Sequence, residues 1–90
     1  MPGTIEGTFN AFTTYLHFVK EEDFEVMYAD LRMVLLDAQI DSMEFRERIL
    51  QYIEKIIREA PGDVAEKGVL FNRYRRKLQR TADALQKEFG

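Results

Sequence analysis

From Thr8 onward the apolar residues fall at Phe9, Phe12, Leu16 and Val19, a 3-4-3 spacing that places side chains on one side of a 3.6-residue helix and predicts a helix over 8–20. The threonines and aromatics of this stretch also suit a strand, which stays open as its alternative. Residues 1–7, with two glycines and a proline, read as a flexible N-terminal arm. Between Val19 and Phe24 the apolar phase jumps by about 140°, and Asp23 is a fitting N-cap, so a second helix is expected over 23–38. Its stripe is Phe24, Met27, Tyr28, Leu31, Val34, Leu35 and Ala38. Asp41-Ser42-Met43-Glu44 has the form of a capping box and opens a third helix over 42–60, with Phe45, Ile49, Tyr52, Ile53 and Ile56 facing the core. On its wet face Glu44/Arg48, Glu54/Arg58 and Lys55/Glu59 stand as i, i+4 pairs. Ala60-Pro61-Gly62 ends that helix, since proline lacks an amide hydrogen and disfavours helical geometry in the residue before it. Asp63 then reads as the cap of a long last helix over 63–89, along Val64, Phe71, Tyr74, Leu78, Ala82, Leu85 and Phe89. Gly68 lets its first turn separate from a main helix beginning near Val69.

The same spacing supports a second arrangement. Phe24, Tyr28, Leu31, Leu35, Ala38, Ser42, Phe45, Ile49, Tyr52 and Ile56 keep a 4-3-4-3 period through residues 39–42. This allows a long helical hairpin in which 24–60 is one rod of about 55 Å. The break is preferred because Asp and Ser compete with the helix backbone and favour caps. The expected fold class is therefore all-α: a small bundle of three or four helices with a long last helix, forming a single domain over 8–90. From Val69 to Phe89 that helix spans about 30 Å, against about 20 Å for the first, and its overhang invites a partner.

Composition narrows the class of function. The chain has 90 residues, 46% of them hydrophobic and 32% charged, with five glycines and two prolines, which favours helices over a many-stranded fold. The absence of cysteine excludes disulfides and thiolate chemistry and is compatible with a cytoplasmic setting. No apolar run approaches the ~18 to 20 residues of a membrane span, and the N-terminus lacks the basic start and apolar stretch of a signal peptide, so neither membrane nor export is expected. Net charge is −3, unevenly placed: up to Phe45 there are 2 basic and 9 acidic residues, and beyond it 11 and 7.

Helix two carries a second apolar set, Val26, Ala29, Met33, Leu36, Ile40 and Met43, well away from its main stripe. Either the helix sits centrally between neighbours, or this side is a docking face. Phe18, Leu50, Ile57, Val69 and Leu70 also lie off the main stripes, more than so small a domain is expected to enclose. Arg73, Arg76, Lys77 and Arg80 form an electrostatic face on the last helix, with Lys87 further along. This face suits phosphate, but the acidic first half opposes a polyanion, which ranks nucleic acid behind a protein partner. Acidic residues such as Glu21, Glu22, Asp23, Asp30 and Asp37, on this chain or on a partner, are its expected counterparts.

The stretch from Asp37 to Phe45 resembles the second half of an EF-hand calcium loop, with Ile40, Asp41 and a closing Glu44-Phe45. In that register the first and third ligand positions are Met33 and Leu35, which offer no side-chain oxygen, so calcium coordination fails and the segment reads as a helix-loop-helix joint with Ile40 plugging the core. His17 is the only histidine and Ser42 the only serine. Ser42 has no glycine elbow for a catalytic triad, and His17 with Glu21 is two ligands at most, better read as a hydrogen-bonded pair. No phosphate-binding glycine loop, zinc motif or cofactor fingerprint is present. The four tyrosines lie on or beside core stripes. The expected role is a non-catalytic protein–protein interaction module, a small regulator, adaptor, assembly chaperone or inhibitor-type subunit. It binds another protein or itself, as a homodimer, through Val26, Met33, Leu36, Val69 and Leu70 flanked by charge. The alternative is a nucleic-acid-associated regulator using the basic face of the last helix.

Overall fold

A computed structural model describes residues 4–90. Five α-helices make up the fold: α1 (Ile5–Leu16), α2 (Phe24–Asp37), α3 (Ser42–Glu59), α4 (Gly62–Lys67) and α5 (Val69–Phe89), with a single 3-10 turn at Glu21–Asp23 leading into α2. No strand occurs among the described residues, so the strand alternative for 8–20 is discarded. The first helix begins three residues earlier than expected because Thr4 caps it, its Oγ1 accepting from the Gly7 amide at 3.0 Å. Residues 1–3 of the expected arm lie outside the described residues, and the rest of it forms the first turn of α1 from Ile5. The helix also ends early, at Leu16, yet Val19 still turns its side chain into the core from the connection that follows.

Helices α2 and α3 are separate, so 24–60 is not one rod. Gln39 has φ 56°, in the left-handed region where α2 stops, and the Asp41 carboxylate accepts from the Glu44 amide at 2.9 Å to start α3. Ile40 packs against the core from this joint. Of the two expected caps, Asp23 does occupy the N-cap position of α2 but makes no side-chain cap bond, the 3-10 turn already carrying the chain into the helix, and the other is corrected. Asp63 lies inside α4, whose N-cap is Pro61. Gly68 does separate α4 from α5: a Cβ there would meet the Val64 carbonyl oxygen at 2.6 Å, so only glycine fits the sharp step.

The core is built where α3 and α5 run against each other with α1 laid across them and α2 closing the side. Phe45, Ile49, Leu78 and Leu85 are fully enclosed, together with Leu16 and Leu35 from the covering helices. Phe9 and Phe12 meet Phe45 edge-on at centroid distances of 5.6 and 5.5 Å, a favourable use of the ring quadrupoles. At the far edge of this cluster the Tyr74 hydroxyl donates to the Thr13 carbonyl at 2.8 Å. The expected overhang of α5 is confined to its ends: Tyr74, Leu78, Ala82 and Leu85 are buried because the main neighbour is α3, of similar length, and not α1, while Val69 and Leu70 at its start and Phe89 at its end are exposed. The molecule measures 39 × 26 × 26 Å, well short of a 55 Å rod.

Candidate protein-binding surface

Helix α2 turns Phe24, Met27, Leu31 and Leu35 inward, and these large side chains fill its space against the bundle. At about 100° per residue, Val26, Ala29, Met33 and Leu36 then fall on the opposite side. The structure leaves that side uncovered: Val26 is 65%, Met33 58% and Leu36 71% exposed. Helix α2 is thus not the central, doubly packed helix of the first alternative. Val34, expected on the inward stripe, is 47% exposed and stands at the edge between the two sides. The five residues singled out from sequence are all exposed, but they do not form one surface. Val69 and Leu70 sit at the start of α5, where Leu70 lines a separate cleft of about 830 Å³ with Phe18, Lys20, Glu21, Arg73 and Arg76. Phe18 projects from the α1–α2 connection at 79% exposure.

The four basic residues of α5 also divide. The Lys77 ammonium donates to the carbonyl oxygens of Leu16 and Val19, each at 2.8 Å, closing the C-terminal end of α1. Burial lowers its pKa, Glu21 raises it and Arg73 lowers it further. Lys77 is therefore a structural clamp and not part of a free electrostatic face. Arg80 stacks over the Phe24 ring at 4.0 Å and reaches Glu25 at 3.5 Å. Only Arg73 and Arg76 remain exposed and without an ion pair among the described residues. The wheel held a clue to this: Lys77 lies three residues after Tyr74 and four before Thr81, both buried, which tilts it toward the core.

Charges elsewhere tie element to element. Arg32 of α2 bridges Glu88 of α5 at 2.6 Å, and Glu88 also accepts from the Tyr28 hydroxyl at 2.6 Å. Arg48 pairs with Glu6 of α1 at 2.8 Å and not with its own-helix neighbour Glu44, while neither Glu54/Arg58 nor Lys55/Glu59 forms a bridge. His17 lies flat on Tyr74, with ring centroids 3.7 Å apart and planes 9° apart, and makes no hydrogen bond to Glu21. No group of three or more His, Asp or Glu side chains gathers as a metal site among the described residues. No helix described is long and apolar enough to cross a membrane.

Between α1 and α2 lies an open groove of about 420 Å³. Its floor is Phe12, Met27 and Leu31, and its walls include Ala11, Tyr15 and Val34, with Asp30 at the edge. Sequence reasoning did not find this groove. The signal was the small pair Gly7 and Ala11, one turn apart on α1, which leaves room beside the large residues of α2. The chain matches no protein-family model, no curated protein and no solved structure.

Proposed function

We propose that this protein is a non-catalytic protein–protein interaction module whose contact face is the outer side of α2. The observation that carries this reading is the exposure of Val26, Met33 and Leu36 on a helix that already fills the core with four other side chains. An apolar stripe kept in water while the core is closed without it has a cost that contact with a partner removes, and such stripes mark interaction sites. Glu25, Asp30 and Asp37 border the stripe and supply orientation and on-rate more than affinity. Methionine at position 33 suits a surface that adapts its shape.

The alternative nucleic-acid role is weaker on this geometry, since Lys77 and Arg80 are engaged within the chain. The deciding experiment is solution mass by light scattering over a concentration series, with Met33→Glu as the variant. Association that Met33→Glu abolishes at unchanged far-ultraviolet helicity supports a homodimer through α2. If the wild-type chain stays monomeric, a photo-crosslinker at Met33 in cells, compared with one at exposed Gln51, must capture a defined protein. Failure of both eliminates the reading.

A further inference from the structure

The groove between α1 and α2 is distinct from the outer stripe of α2 and has its own chemistry. Its lining on α1 runs from Gly7 to Tyr15 and on α2 from Met27 to Val34. At 1.5 Å per residue both walls are about 10 to 12 Å long, which is two turns of a helix. Three apolar side chains at i, i+4 and i+7 span that length on one face, the usual way a helix anchors in an apolar groove. The described chain has no strand edge to which an extended peptide could add, so the walls favour a helical occupant.

Charge decides what kind of helix. Along α1 the only charged side chain is Glu6, held by Arg48. The only cation on α2, Arg32, is held by Glu88. Asp30 stands at the groove itself and makes neither an ion pair nor a hydrogen bond among the described residues. Asp37 lies two turns further along the same helix. The groove thus offers apolar walls with unpaired carboxylate charge at its side and no unpaired cation along either wall.

We infer that the α1–α2 groove receives a basic amphipathic helix from a partner protein, with apolar anchors over Phe12, Met27 and Leu31 and a lysine or arginine beside Asp30. This names the partner class for the interaction role proposed above and rests on that reading. Its site is nevertheless separate from Val26, Met33 and Leu36, so the two stand or fall on different variants.

The probe is an alanine-based peptide of about 15 residues, long enough to hold some helix in water, with leucines at one i, i+4, i+7 stripe and flanking lysines. A second peptide replaces each lysine with glutamate. Titration into the isotopically labelled full chain, followed by amide chemical shifts, should move Thr8, Ala11, Tyr15, Asp30 and Val34 with the lysine peptide and not with the glutamate peptide. Asp30→Lys should weaken binding about tenfold by turning attraction into repulsion at the groove edge. Ala11→Trp, which fills the groove from an exposed position, should weaken it at least as much. Met33→Gln, which removes the apolar side chain of the other face without adding charge, should leave it unchanged. Asp30→Asn, isosteric and uncharged, guards against a folding artefact and should fall between wild type and Asp30→Lys. Shifts centred on Glu21–Glu25, equal binding of both peptides, or indifference to Asp30→Lys and Ala11→Trp would each overturn the inference. So would occupation of the groove by a small apolar dye that the lysine peptide fails to displace.

Discussion

Replacing Lys77 with methionine tests the clamp that ties α1 to α5. The Lys77 ammonium makes two hydrogen bonds of 2.8 Å, to the carbonyl oxygen of Leu16 at the end of α1, which otherwise accepts only a long 3.4 Å bond from the Val19 amide, and to that of Val19 in the connection beyond. A hydrogen bond from a charged donor contributes about 1.5 to 3 kcal/mol net. The two bonds share one ammonium, which must also give up water, and burial lowers its pKa against the favourable field of Glu21. Methionine keeps the apolar stem in contact with α1, and the cleft lined by Glu21 and Arg76 is open enough for water to reach the orphaned carbonyls. These offsets leave a net loss of about 1.5 to 3 kcal/mol, or a fall in Tm of roughly 10 °C for a domain of this size. The assay is urea and thermal unfolding by circular dichroism, with Arg73→Met as the exposed control one turn away, expected within about 0.5 kcal/mol of wild type. Amide exchange at residues 17–20 should speed up in Lys77→Met and not in Arg73→Met. If the two variants lose equal stability, the clamp has no energetic role and Lys77 returns to the basic face.

Two other consequences are accessible to the same instruments. Gln39 stands at φ 56°, a region that costs an L-residue about 1 kcal/mol, so Gln39→Gly should be neutral or stabilising by up to about 1 kcal/mol, and Gln39→Pro, which needs a negative φ, should be severely destabilising; equal effects of the two would contradict the turn geometry. Tyr74 and Tyr28 have pKa values raised above the ordinary 10, first by burial and then by hydrogen bonds to Tyr52 and Glu88 respectively. A folded-state pKa above the unfolded one means that stability is complete below about pH 10 and is lost as pH rises beyond it, by up to about 1.4 kcal/mol per pH unit for a buried group. Unfolding midpoints from pH 8 to 12 should therefore fall above 10. Tyr74→Phe should flatten that fall while costing about 1 kcal/mol at neutral pH through the lost bond to Thr13. A fall that starts below pH 9, or one unchanged in Tyr74→Phe, would rule out this tyrosine as its source.

The elements and the core were legible wherever a single periodicity governed a residue. Phe45, Ile49 and Ile53 of α3, and Leu78, Ala82 and Leu85 of α5, are buried as their spacing demands. The α2–α3 joint was legible because Asp41 can serve a free amide only at a helix start, which is what it does for Glu44. Period alone failed where two faces compete. Val34 counted with the inward stripe of α2, but it lies at the margin and the spacing of α1 from α2 leaves it half in water. Lys77 was grouped with Arg73, Arg76 and Arg80 by charge, although its place between Tyr74 and Thr81 put it nearer the core. The groove was hidden for a different reason. It depends on how two helices are placed side by side, so that the small residues Gly7 and Ala11 of one leave space beside the large residues of the other, and no one-dimensional pattern carries that placement. The outer face of α2 was legible as surplus apolar surface, but what covers it is a property of a second molecule.

The uneven charge of the two halves now has a structural meaning. Each bridge between helices joins one half to the other: Arg32 to Glu88, Arg48 to Glu6, and Arg80 to Glu25. All three are partly or largely exposed, so each contributes about 0 to 1 kcal/mol and serves to set the register of the helices more than to hold them together. Lys77 adds the one contact of this set that reaches backbone atoms, at half-buried positions. What remains after these pairings is not neutral. Asp30 and Asp37 stay unpaired beside the apolar side of α2, while Arg73 and Arg76 stay unpaired beside Leu70 at the start of α5. Of these two exposed apolar areas, the one at α2 is therefore flanked by acidic charge, and the one at α5 by basic charge with Glu21 and Glu22 in the same cleft. A homodimer formed by two α2 faces would bring acidic flanks together and should be strengthened by salt, whereas a basic partner helix in the groove should be weakened by it. The sign of the salt dependence of binding thus separates self-association from capture of a basic helix before any partner has been identified.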